Sequence, residues 1–198
     1  SSLSSTTAKR VNGPVTGIAG LGGAIGGTLV GATAGEYGAE TMVLFAAIAC
    51  LPAALVSNAG YVLFGEPEMP PRAATSDPMG WHLLKDNPTL AYLLGIVLTS
   101  QLVSAVLDYK FQGLLSVQFA GDPNAETAFQ GWFFGTLNTS VLALQFIITP
   151  LALSFVGLRW IHILMPLVHL VAISMALIEP SVWSVGLAFF LFKAFDYS

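Results

Sequence analysis

Apolar residues fall in six runs along the chain, separated by short polar breaks, and each run predicts a helix: Val15–Ala34, Met42–Phe64, Thr89–Leu107, Thr127–Phe155, Ile161–Ile178 and Val182–Phe195. A bilayer core about 30 Å thick is crossed by roughly 20 helical residues rising 1.5 Å each, and the first four runs are close to or above that length. The breaks carry turn chemistry. Glu36–Glu40 is acidic, Asp122-Pro123-Asn124 is a strong turn signal followed by Glu126, and Gly157 and Glu179-Pro180 punctuate the later runs. Gly65–Pro88 holds five prolines (Pro67, Pro70, Pro71, Pro78 and Pro88), with a helical period only near Trp81–Leu84, and reads as a linker. The expected organisation is therefore 1–64 as two helices, 65–88 as a connecting segment and 89–198 as four helices.

Inside the runs, the polar and small positions line up. Gly23, Gly27, Gly31 and Gly35 recur every four residues, a small-xxx-small ladder suited to close helix packing. Gln101, Ser104, Asp108 and Gln112 share one face of the third run at spacings of three, four and four. Gly131, Gly135, Asn138, Leu142, Gln145 and Thr149 form a second small-and-polar stripe. A polar stripe in an oily helix either lines water or pairs with a neighbouring helix. Pro52 is expected to bend its helix.

Composition fits this pattern. The chain is 55% hydrophobic and 9% charged with a mean hydropathy of +0.74, whereas a soluble domain carries roughly 25% charged residues. The expected fold class is an all-α membrane protein, a polytopic helical bundle whose partner is the lipid bilayer. With six alternating spans, Lys9, Arg10, Arg72, Lys85, Arg159 and Lys193 fall on one side and Lys110 on the other, which by the positive-inside rule puts the start, the linker and the end in the cytoplasm. A bacterial inner membrane, an organelle membrane or a plasma membrane suits this equally.

Candidate chemistry is sparse. The net charge of −4 is small and scattered, so no nucleic-acid partner is expected. The lone Cys50 excludes an internal disulfide or a cysteine metal cluster. Gly22–Thr28 imitates a phosphate loop but has Gly27 where the lysine belongs, and the first run is too glycine-rich for a secretory signal. His162 and His169 lie seven apart on one face without a third ligand, so they read as interhelical hydrogen-bonding groups and not as a metal pair. No catalytic residue, metal or cofactor is expected.

Two spans, a cytoplasmic linker and at least four further spans resemble the major facilitator superfamily, in which two six-helix halves rock about a central cavity. The segments Ala8-Lys9-Arg10 leading into Gly20–Gly31, Asp108-Tyr109-Lys110-Phe111, Phe129–Asn138 and Lys193-Ala194-Phe195-Asp196-Tyr197-Ser198 occur in an order similar to that of its nucleotide-exchange branch, the ATP/ADP translocases. On that resemblance the chain is an internal piece of a larger fold, about six helices, with the missing helices of the same chain as partners. The resemblance implies a secondary transporter of organic anions, with ATP/ADP nucleotide exchange as the favoured cargo, carried without hydrolysis. Asp108 and Lys110 are the charges that it singles out, with Gln101, Ser104, Asn138 and Gln145 as substrate-binding candidates. A competing expectation places Asp108, Tyr109, Lys110 and Phe111 at the membrane interface as anchors. Two rival functions are a membrane enzyme using His162, His169 and Asp108, and a non-transporting anchor or regulatory module.

Overall fold

The computed structural model describes residues 5–65, 81–156 and 158–196, and among these every regular element is helical. The helices are α1 (Ser5–Tyr37), α2 (Ala39–Phe64), the short α3 (Trp81–Asp86), α4 (Pro88–Gln118), α5 (Pro123–Ala143), α6 (Thr149–Phe155), α7 (Leu158–Ile178) and α8 (Val182–Asp196). A single π turn, Leu144–Ile148, joins α5 to α6. Most of the 65–88 linker, together with Gly157, Tyr197 and Ser198, lies outside the described residues.

Among the described residues three helices are long and apolar enough to cross a membrane: Ala39–Leu63, Pro88–Gln118 and Pro123–Ala152. Ile163–Ile178 within α7 is a shorter apolar stretch. Their side chains are exposed along much of their length, as at Val56, Leu102 and Leu164. Six spans are thus an expectation of the sequence, and three described helices have the length and apolarity to cross a bilayer.

Local chemistry explains the helix boundaries. Asn87 starts α4 by accepting the Thr89 N–H at 3.1 Å, with Pro88 at the first helical position, where its missing donor costs nothing. Asp122 does the same for α5, accepting from Ala125 N–H at 2.9 Å ahead of Pro123. Gly121 (φ +88°) and Gly38 (φ +85°) occupy the left-handed region that lets the chain reverse between α4 and α5 and between α1 and α2. Ser181 and Ser184 exchange hydrogen bonds at the start of α8, each backbone N–H donating to the other's hydroxyl at 3.0 and 3.1 Å. The π turn has a local cause as well. Pro150 has no N–H to return to Phe146, and Thr149 N–H donates five residues back, to Leu144.

The most extensive helix contact is α1 against α5, and it is made by glycine. A Cβ on Gly27 would lie 2.5 Å from Gly135 N, and one on Gly131 would lie 2.3 Å from Gly31 N. Gly20 meets Leu142, Gly23 meets Asn138 and Gly31 meets Trp132. Contact numbers rise on α1 as they fall on α5, so the two helices run antiparallel, the direction that alternating first and fourth spans require. The backbones touch because nothing stands between them.

A second core joins α4, α5, α7 and α8. Phe111, Leu115 and Phe189 are its most deeply buried large side chains. The Phe111 ring centroid lies 4.5 Å from Phe133 and 5.7 Å from Phe189, and Gly186 provides the space, since a Cβ there would stand 2.9 Å from Phe111 Cε2. This corrects one expectation. The third helix does not finish at Asp108–Phe111; it continues to Gln118, because Leu107, Phe111 and Leu115 at four-residue spacing form a buried stripe. Phe111 is a core residue and Asp108 is half-buried, whereas Tyr109, 79% exposed, and Lys110 are exposed.

Candidate polar site between two long helices

The antiparallel α4–α5 hairpin places polar side chains opposite one another. Gln112 and Gln130 lie nine residues either side of Gly121 (112, 121 and 130), so the hairpin brings them level. Gln130 Nε2 donates to Gln112 Oε1 at 3.0 Å and lies 3.2 Å from Glu126 Oε1. Gln112 Nε2 reaches Asp108 Oδ1 at 3.4 Å, a long and weak contact. The result is a ladder, Glu126–Gln130–Gln112–Asp108, of two amides flanked by two carboxylates, all half-buried. The carboxylates supply only acceptors, so the protons come from the amides: the Gln130 amide nitrogen donates to both Gln112 and Glu126, and the Gln112 amide nitrogen reaches Asp108.

Depth gives the ladder its interest. Asp108 lies ten residues from the end of α4 at Gln118, about 15 Å along the helix, whereas Glu126 is in the first turn of α5. The rungs run from the hairpin toward the middle of two helices that are each long enough to span a bilayer.

The sequence-derived candidates do not converge on one point. Asp108 is in the ladder, Ser104 one turn earlier is buried with 4% exposure, and Gln101 and Lys110 are exposed. Asn138 is part of the α1–α5 contact, where its amide donates to its own helix at Phe134 O (2.8 Å) and faces Gly23. Gln145 is half-buried in the π turn. Of the glycine ladder, Gly23, Gly27 and Gly31 lie against α5, while a Cβ on Gly35 would meet nothing within 4 Å. Cys50 is exposed on α2. His169 lies in α7 near Phe192 and Phe195, away from the ladder, and the His162 side chain is outside the described residues. Among the described residues no three His, Cys, Asp or Glu side chains group to hold a metal ion.

Sequence reasoning assigned no role to Gln130 and read Glu126 only as part of a turn. The signal was present: Glu126 and Gln130 are four apart on one face, and a reversal at Gly121 sets that face opposite the Asp108–Gln112 face. No protein-family model, no curated protein and no solved structure matches the chain.

Proposed function

We propose that the chain belongs to a multi-pass membrane transporter that works by alternating access, with the Glu126–Gln130–Gln112–Asp108 ladder on the wall of its solute path. The observation that supports this is a carboxylate about 15 Å from the end of a helix long enough to cross a bilayer, with an amide as its hydrogen-bonding neighbour. A carboxylate in hydrocarbon is expensive unless it lines water, is paired or is protonated. An amide neighbour brings no compensating charge, and water along a solute path would supply the solvation that the carboxylate needs.

The cargo is an organic anion, with ATP/ADP exchange as the version that the sequence resemblance implies. That part rests on the resemblance and on Lys110, whose exposed ammonium is the cation on α4 nearest the ladder in sequence. The test is counterflow of labelled ATP into ADP-loaded proteoliposomes carrying the full chain, with an Asp108→Asn, Lys110→Gln double variant in parallel. Uptake that needs internal ADP and falls in the variant is the expected result. Folded protein that takes up none removes nucleotides as the cargo.

A second reading, a non-transporting anchor or regulatory module, draws support from the dispersal of the candidates: Gln101 and Lys110 are exposed, and Asn138 is committed to the α1–α5 contact. An anchor needs no water along the ladder, and this is the point at which the two readings part.

A further inference from the structure

A cleft of about 830 Å³ opens between α4, α7 and α8, separate from the ladder. That volume lies within the range of small-molecule sites, roughly 300–1,000 Å³. Its wall is mostly apolar, with aromatic rings from Tyr92, Phe192 and Phe195. The few polar groups in it share one property, which is that they accept.

Thr99 Oγ1 donates its only proton to Gly95 O at 2.8 Å, and Ser100 Oγ donates to Val97 O at 3.1 Å. Both hydroxyls therefore have only lone pairs left to offer. A neutral imidazole carries one accepting nitrogen, and His169 leaves one of its ring nitrogens unpartnered. That nitrogen, Nε2, is buried and has no partner. Asp196 adds a carboxylate at the rim, exposed and facing the same cleft. The nearest ammonium on α8, that of Lys193, lies 5.9 Å from the Phe189 ring centroid, and Lys193 is not part of the cleft wall.

We propose that this cleft is a binding site for a lipophilic organic cation, an ammonium or phosphonium carried on an apolar or aromatic body. The aromatic wall takes the body and attracts the charge through its ring faces, and Asp196 supplies the opposite charge. The hydroxyl lone pairs and His169 Nε2 accept from any N–H or O–H that the ligand carries. An anion of the same shape would meet a carboxylate and no donor but the Tyr92 hydroxyl. The inference goes beyond the transport reading and does not need it, since binding here requires neither the ladder nor movement across a membrane.

The test is equilibrium binding of tritiated tetraphenylphosphonium to the purified full chain in detergent, with tetraphenylborate, its near-isosteric anion, as competitor. The expected result is saturable binding of the cation, with the anion at least tenfold weaker. Asp196→Asn should lower cation affinity about tenfold and narrow the gap between the two ions. Tyr92→Leu should lower it severalfold. Both side chains are exposed, so neither change removes a packed group. Equal affinity for the two ions, cation binding that neither substitution alters, or no saturable binding would overturn the proposal. None of these outcomes bears on water access to the ladder, so the transport reading stands or falls by its own measurement.

Discussion

Replacing Gly131 with alanine tests the glycine-to-glycine contact on which the arrangement of α1 and α5 depends. The new Cβ would lie 2.3 Å from Gly31 N and 2.8 Å from both Gly31 Cα and Val30 C, all backbone atoms that cannot swing aside. Comfortable carbon contacts begin near 3.5 Å, so the helices must separate by about 1 Å along the contact. Overpacking of this kind costs roughly 1–3 kcal/mol. Gly26→Ala is the matched control, because a Cβ there meets nothing within 4 Å, and relief of the glycine penalty in a helix should gain up to about 1 kcal/mol. Gly131→Ala gains the same propensity term, which cancels in the comparison, so the two variants should differ by about 1–3 kcal/mol, and even the lower figure is about fivefold in the unfolding equilibrium. Reversible unfolding in mixed detergent micelles measures the difference. If Gly131→Ala is as stable as Gly26→Ala, the two backbones do not touch and the α1–α5 contact described above is wrong.

Three further predictions concern other parts of the fold. Phe189→Ala removes a ring that is 1% exposed and packs against Phe111 and Phe133, and should cost about 3–5 kcal/mol in the same titration; a loss below about 1 kcal/mol would mean that this aromatic core is not packed as described. Pro150→Ala restores an N–H able to bond Phe146 O and should close the π turn at Leu144–Ile148, slowing hydrogen–deuterium exchange across that segment; unchanged exchange would show that the proline is not its cause. Gln130→Leu removes the rung between Gln112 and Glu126 and should abolish coupled uptake while leaving the fold intact by circular dichroism. Full uptake in this variant would separate the ladder from transport.

The six apolar runs located the long helices to within a few residues at most ends, because a segment with no water-compatible face has few alternatives to a helix. Two ends were exceptions: α1 begins at Ser5, well before Val15, and α4 runs on to Gln118. Asp108 and Lys110 read as an ending because charges usually mark one, yet the buried stripe of Leu107, Phe111 and Leu115 continues through them. The spacing of Gly23, Gly27 and Gly31 was legible, but their partner was not: glycine periodicity shows that a helix can come close without saying which helix does. The polar site was half legible for the same reason. Asp108 and Gln112 announce a face, whereas Gln130 gains significance only after the turn at Gly121 sets it opposite Gln112. Asn138 shows the reverse, a polar residue on a promising stripe that the fold uses to pack against Gly23.

The most direct test of the central claim is water access to the ladder. After Cys50→Ala, single cysteines at Gln112 and Gln130 would be challenged with a membrane-impermeant thiol reagent in sealed vesicles, beside cysteines at Leu102 and Val106, which are 68% and 61% exposed on the same long helix and face lipid in this account. The account predicts labelling at positions 112 and 130 and none at 102 and 106. Unlabelled ladder positions in folded protein, or labelling at all four sites alike, would contradict it, and the absence of labelling would favour the anchor.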